Sequence, residues 1–339
     1  MTLAPRDDIA RRKMLGILAG TWLAQGCYAL AELRIADAMG DGTHTADELA
    51  AATGTDPVAL LRLLRALAMA GIVAQPEPGR FALTPASRLL RSDVEGSVHL
   101  NAVMQGDEVF RSFAEITHTL RTGEPAFAKV FGVSYYDYLG ANPEAAHNFH
   151  ESMGAQQVPT GFASVDLTGV AHLVDVGGGN GTLLAGVLAA QPGIRGTLVE
   201  LPEAVAVARP RLAEFGDRVG YVEASFFDEV PPGGDAYVLC RVLHNWRDET
   251  AAALLRRVRA AMAPGTRLIV LEEFLPEAGA DGAAGGAGIV DLLMLVTLEG
   301  RDRTGDEYRD LVTAAGFTVT EVRRSGAGDV TGVLEAVAG

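Results

Sequence analysis

Two stretches of the chain hold residue types whose spacing could support chemistry. The first is Leu173-Val-Asp-Val-Gly-Gly-Gly-Asn-Gly-Thr-Leu183. Val174 and Val176 suit a buried strand, and the glycines that follow suit a tight turn. Gly177, Gly179 and Gly181 let the backbone bend sharply and come close to a ligand. Residues 182–190 then have helical periodicity, so the free N–H groups of a helix start face whatever sits over the turn. Asp175 lies just before the turn, where a carboxylate could orient a cationic amine. Glu200 ends the next apolar run, at a strand tip that can take both hydroxyls of a ribose; a solvated strand end is the plainer reading of it. The turn alone would suit a dinucleotide. The two acids together favour S-adenosylmethionine over NAD.

The second stretch is Leu239-Cys-Arg-Val-Leu-His-Asn-Trp-Arg-Asp-Glu249. It puts His244 just past a strand, beside Trp246 and ahead of an acidic helix start. A histidine at that place over a ligand crevice is a candidate general base. Between the two stretches lies Ser225-Phe-Phe-Asp228. Phe226 and Phe227 could stack on an adenine and Ser225 bond its edge, or the rings could be ordinary core. Upstream, Phe149 and Met153 stand one turn apart on an expected helix. They read equally as core or as a substrate wall. His147 and His150 share that helix without a third ligand, so no metal is expected there.

These residues need a scaffold. From residue 170 onward strands alternate with helices: 173–176, 196–200, 219–224, 236–240, 266–271, and a late pair near 317–322 and 332–337. Helices are expected at 203–214, 249–262 and 304–315. Such alternation predicts an α/β domain, a parallel sheet with helices on both faces and ligands beyond the carboxyl ends of the strands. Residues 94–157 read as helical with loops, and 276–288 as a mobile Gly/Ala-rich loop.

The first hundred residues are different. Residues 13–39 form one or two apolar helices ending at Gly40. Thr45 with Glu48 makes a capping box, and Asp56 with Pro57 opens a second helix that runs to Met69. A small hairpin over 72–83 completes a winged-helix pattern. A DNA reader would need a basic polar face on that second helix. Arg62 and Arg65 are its only cations, so a packing or dimerising module is the better reading.

Bulk properties agree. The net charge of −15 opposes nucleic acid and anionic membrane as partners. Two distant cysteines, Cys27 and Cys240, give neither a disulfide framework nor a metal spacing, which fits a cytoplasmic setting. Residues 15–33 are apolar enough to invite a membrane reading, but Gln25 and Glu32 interrupt them; a buried or subunit-swapped helix is expected instead.

With these motifs in view, the chain resembles the small-molecule O-methyltransferase family of plant caffeate, acetylserotonin and actinomycete tailoring enzymes. The likeness runs through the glycine turn, Glu200-Leu-Pro202, Ser225-Phe-Phe-Asp228, Arg241-Val-Leu-His-Asn-Trp246, Gly300-Arg-Asp-Arg-Thr304 and a final Ala315-Gly-Phe317. It implies a class I methyltransferase with a Rossmann-like sheet over 101–339, residues 101–165 forming a helical lid, and a helical winged-helix-like dimerisation domain over 1–100. It implies a homodimer that uses S-adenosylmethionine and no metal.

The resemblance also implies roles. His244 would be the general base, with Glu272 orienting its ring and Asp302 flanking it. The cofactor would meet Asp175, Gly177, Gly179, Glu200, Leu201, Ser225, Phe226, Phe227, Cys240, Arg241, Gln157 and Tyr138. Phe149, Met153, Asn245, Trp246, Asp291 and Met294 would border the acceptor. Asp302 stands where Glu is commoner, and Ser225, Cys240 and Asn245 also depart from the commonest pattern. The expected acceptor is a phenolic hydroxyl on an aromatic natural product, polyketide-like given the lysine-poor composition. N- or C-methylation, or a silent cofactor-binding protein, are the alternatives.

Overall fold

A computed structural model describes residues 5–154, 160–276, 287–324 and 331–339. Gln157 and most of the expected loop at 276–288 lie outside the described residues. The chain divides into two compact units, Met1–Phe110 and Arg111–Gly339.

In the first unit the helix Pro5–Glu32 leads into a short helix, Ile35–Met39. Two capped helices follow. Thr45 accepts from the Glu48 N–H while Glu48 accepts from the Thr45 N–H, which starts Ala46–Thr53. Asp56 accepts from the Ala59 N–H at 2.7 Å and Pro57 takes the first position of Pro57–Met69. Strands β1 (His44–Thr45), β2 (Val73–Glu77) and β3 (Arg80–Leu83) form a small antiparallel sheet in the order β1-β3-β2. Leu30, Ile35, Leu49, Leu64, Leu67 and Phe81 fill the core.

The division falls after Phe110 rather than at residue 100. The segment between packs on the first helix, and Gln25 donates to the Gly106 carbonyl at 3.0 Å. Of the two expectations for the first helix, burial within its own chain does not hold along its exposed apolar face. Ile9, Ile17, Leu18 and Trp22 are exposed, Trp22 at 77%. By length and composition, Asp8–Glu32 could also cross a membrane.

The second unit is built on a seven-stranded sheet. Its strands are β4 (His172–Val176), β5 (Arg195–Glu200), β6 (Val219–Glu223), β7 (Ala236–Cys240), β8 (Arg267–Glu273), β9 (Phe317–Arg324) and β10 (Thr331–Ala338), in the order β6-β5-β4-β7-β8-β10-β9. The first five run parallel. The expectation of a wholly parallel sheet fails at the last two: β10 is antiparallel to both β8 and β9. Only residues 325–330 join β9 to β10, and a parallel return needs a crossover of a dozen residues or more.

The central strands are buried on both sides, as covered parallel strands must be. Val174, Val176, Tyr237, Leu239 and Val270 belong to one apolar cluster. Leu173, Leu198, Val238, Ile269 and Leu271 belong to a second.

Candidate active site

The carboxyl ends of β4, β5, β7 and β8 bring the expected residues to one edge of the sheet. At the end of β4 the backbone turns through Gly177, whose φ of 72° suits glycine. A side chain there would have no room: a Cβ would stand 2.9 Å from Val242 Cγ2 and 3.2 Å from the Phe226 ring. Phe226 therefore lies against the turn. It packs on Phe227 and meets Trp246 edge-on, as does Phe227. The Ser225 hydroxyl accepts from the Phe227 N–H at 3.2 Å and shapes that corner.

Two carboxyls sit beneath and beside the turn. Asp175 is fully buried, and neither of its oxygens has a hydrogen-bond partner. Burial, then the charge of Glu200, pushes its pKa up to about 7. Glu200 accepts from the Leu201 N–H at 2.6 Å, and Gly179 also bonds it through the backbone. Burial raises it to about 7 despite those bonds. The unpartnered carboxyl of Asp175 calls for a cation or a donor. The residues present thus fit a ligand that carries a hydroxylated sugar and positive charge. Cys240 closes the same edge, its thiol pushed up to about 12 by burial.

Past β7 the chain enters a left-handed step at Arg241, φ 55°, and then a single turn, Leu243–Asn245. His244 is 8% exposed. Its Nδ1 lies 3.2 Å from Asp302 Oδ1 and 3.8 Å from Glu272 Oε2. The nearer partner of the ring is therefore Asp302. Glu272 instead holds the turn, its Oε1 accepting from the Val242 N–H at 2.9 Å and the Leu243 N–H at 2.7 Å. Burial works against a charged imidazole here. The carboxylates of Glu272 and Asp302 outweigh it and raise the His244 pKa above the ordinary value. With Nδ1 engaged, Nε2 is the atom free to take a proton.

The chain has known relatives. Residues 113–318 match the model of the O-methyltransferase domain, and residues 16–93 that of the O-methyltransferase dimerisation domain. The chain belongs to the O-methyltransferase family. It is 39% identical to a phenazine O-methyltransferase of Lysobacter antibioticus over 93% of each chain. It is 37% identical to an 8-amino-8-demethylriboflavin N,N-dimethyltransferase of Streptomyces davaonensis, over 91% of this chain and 90% of that one. Among solved structures it is similar to an O-methyltransferase from neocarzinostatin biosynthesis, crystallised with S-adenosylmethionine and 2-hydroxy-5-methyl naphthoic acid. That likeness has a TM-score of 0.82 and 32% identity, covering 93% of this chain and 95% of the other.

The surroundings of Trp246 are aromatic. Trp246 stacks on Tyr136 with centroids 5.4 Å apart, and Tyr136 meets Phe149 edge-on. The Trp246 indole N–H is buried without a partner. Tyr136 also senses Glu200, and burial raises its hydroxyl well above the ordinary range. Tyr138, two residues along the helix Tyr135–Ala141, packs on Phe127 and Phe131 instead. Tyr136 lies close enough to Glu200 to feel its charge.

Other expected acceptor residues have mixed positions. Met294 is buried in the cluster of Phe127, Tyr135, Leu139 and Leu298, with Phe149 packed against it. Met153 is half-buried on Pro143–Gly154. Asp291 accepts from the Asp302 N–H at 2.8 Å, so it supports the carboxylate beside His244. The Asn245 amide donates back to the Arg241 carbonyl at 3.2 Å, which braces the left-handed step. His150 is buried, which lowers its pKa to about 4. Among the described residues no group of three or more His, Cys, Asp or Glu is placed to hold a metal ion.

Proposed function

We propose that this methyltransferase moves the methyl group of S-adenosylmethionine to a phenolic hydroxyl of an aromatic natural product, with His244 as general base. The observation that carries the reading is the His244–Asp302 pair at the end of β7, with Nδ1 held at 3.2 Å. When bound, S-adenosylmethionine supplies a methyl already activated on a sulfonium. Asp175 and the glycine turn would hold its charged arm, Glu200 its ribose, and Ser225 and Phe226 its adenine.

Two tasks remain for the chain: alignment and proton removal. The aromatic wall of Tyr136, Phe149 and Trp246 would orient a flat acceptor. His244 Nε2 would take the hydroxyl proton as the oxygen–carbon bond forms and the carbon–sulfur bond breaks, leaving S-adenosylhomocysteine. An ordinary phenol has a pKa near ~10 and an ordinary histidine near ~6.5. The raised His244 narrows that gap, and Asp302 stabilises the charged ring as it forms. An amine acceptor is the second reading, favoured by the N,N-dimethyltransferase relative. A neutral amine needs no base before attack, so the His244–Asp302 pair argues for oxygen.

Homodimer formation belongs to the same reading. Ile17, Leu18 and Trp22, exposed on Pro5–Glu32, lie within the matched dimerisation segment, and this apolar face would be covered by a second chain in the cytoplasm. The test of acceptor class is incubation with isotope-labelled S-adenosylmethionine and matched pairs of aromatic alcohols and amines, read by mass. Labelled methyl ethers are expected. Transfer to the amines alone would overturn the phenolic assignment.

A further inference from the structure

Arg303 is 1% exposed, and most of its guanidinium hydrogen bonds go to one short piece of chain. Nη1 donates to the Leu243 carbonyl at 3.1 Å and to the Arg301 carbonyl at 3.2 Å. Nη2 donates to the Trp246 carbonyl at 2.8 Å and to Asp248 Oδ1 at 2.7 Å; Nε reaches the same oxygen at 2.9 Å. Leu243 and Trp246 bracket His244 and Asn245. One rigid planar group thus grips the turn on both sides of the imidazole. The residue before it is Asp302, the neighbour of the ring.

The turn is also pinned from behind. A Cβ on Gly300 would fall 1.8 Å from the His244 carbonyl oxygen and 2.4 Å from the Asn245 carbonyl carbon. Segment 300–303 therefore lies directly on the His244 backbone. Stability alone does not demand a buried guanidinium, since apolar replacements of buried ion pairs are often neutral or stabilising. What the fork offers is geometry: fixed donors at fixed angles.

We propose that Arg303 is a positioning residue for methyl transfer, clamping the Leu243–Trp246 turn so that the His244 ring stays in register with Asp302. This rests on the reading of His244 as the base. It adds that the ring and its carboxylate partner are locked together by the residue next to that partner.

The test is the titration of His244 by NMR in the full-length protein, assigned with His244→Gln, for wild type, Arg303→Met and Arg303→Lys. The sign discriminates. Loss of a nearby cation by itself raises an imidazole pKa, whereas loss of the Asp302 contact leaves burial opposed by Glu272 with less help and lowers it. Arg303→Met is expected to lower the His244 midpoint by about one unit or more, with cofactor affinity by calorimetry within about twofold of wild type. Arg303→Lys keeps the charge but cannot span both carbonyls, and is expected to fall between the two. If Arg303→Met does not fold, a lowered midpoint in Arg303→Lys carries the same meaning. A midpoint unchanged or raised in the folded variants overturns the proposal. Failure of the base assignment would show separately, as a His244→Gln enzyme that still turns over at near the wild-type rate.

Discussion

Asp175 and Glu200 are the residues whose chemistry most depends on what lies above them. Burial raises both to about 7 in the protein alone. A bound cation favours the ionised forms, so binding must expel protons. The sign follows: cofactor affinity is full above about pH 7 and falls as pH drops through that value. Without ligand the linkage runs the other way. The folded protein holds protons that the unfolded chain has lost above about pH 4, so stability declines as pH rises toward 7. Calorimetry with S-adenosylmethionine from pH 6 to 8 should show affinity rising by about tenfold and proton release that varies with the buffer. A flat affinity with no buffer dependence would mean that Asp175 does not face the charged arm.

At the same scale, the places of Glu200 at a strand end and of His244 just past one were legible, because strand ends are visible as breaks in apolar runs. The order of the two carboxylates around His244 was not. Asp302 and His244 are 58 positions apart, and a difference of 3.2 against 3.8 Å depends on how two distant segments close on each other. The same holds for Arg303 and Gly300. Their motif was noticed, but a clamp and a close approach exist only in three dimensions.

At the scale of elements, the strands announced themselves through Val, Ile and Leu runs, and the helix starts through Thr45, Asp56 and Thr304, each of which caps as its sequence implies. The antiparallel return of β10 was hidden because alternation of apolar segments carries no direction; connection length does. Tyr136 and Tyr138 show a second limit. Residues two apart on a helix face nearly opposite ways, so one ring reaches Trp246 and the other Phe131. Helix phase sets which neighbour each ring meets. Pro5–Glu32 shows a third: an apolar helix does not declare whether its own chain or another will cover it.

For the whole molecule that helix sets the next expectation. Leu18 and Trp22 lie one turn apart on the exposed face, and an apolar strip of this kind calls for a partner. Sedimentation should find a dimer for the wild type and a monomer for Leu18→Glu with Trp22→Glu. A monomeric wild type, or a variant that stays dimeric, would assign the face elsewhere.

The proposed reaction turns on one imidazole just past β7. The most direct measurement is turnover by His244→Gln beside its affinity for S-adenosylmethionine. If His244 takes the proton, kcat falls by about 10²- to 10⁴-fold while cofactor Kd stays within about twofold of wild type. A kcat loss below about threefold would contradict it and leave alignment alone as the source of the rate.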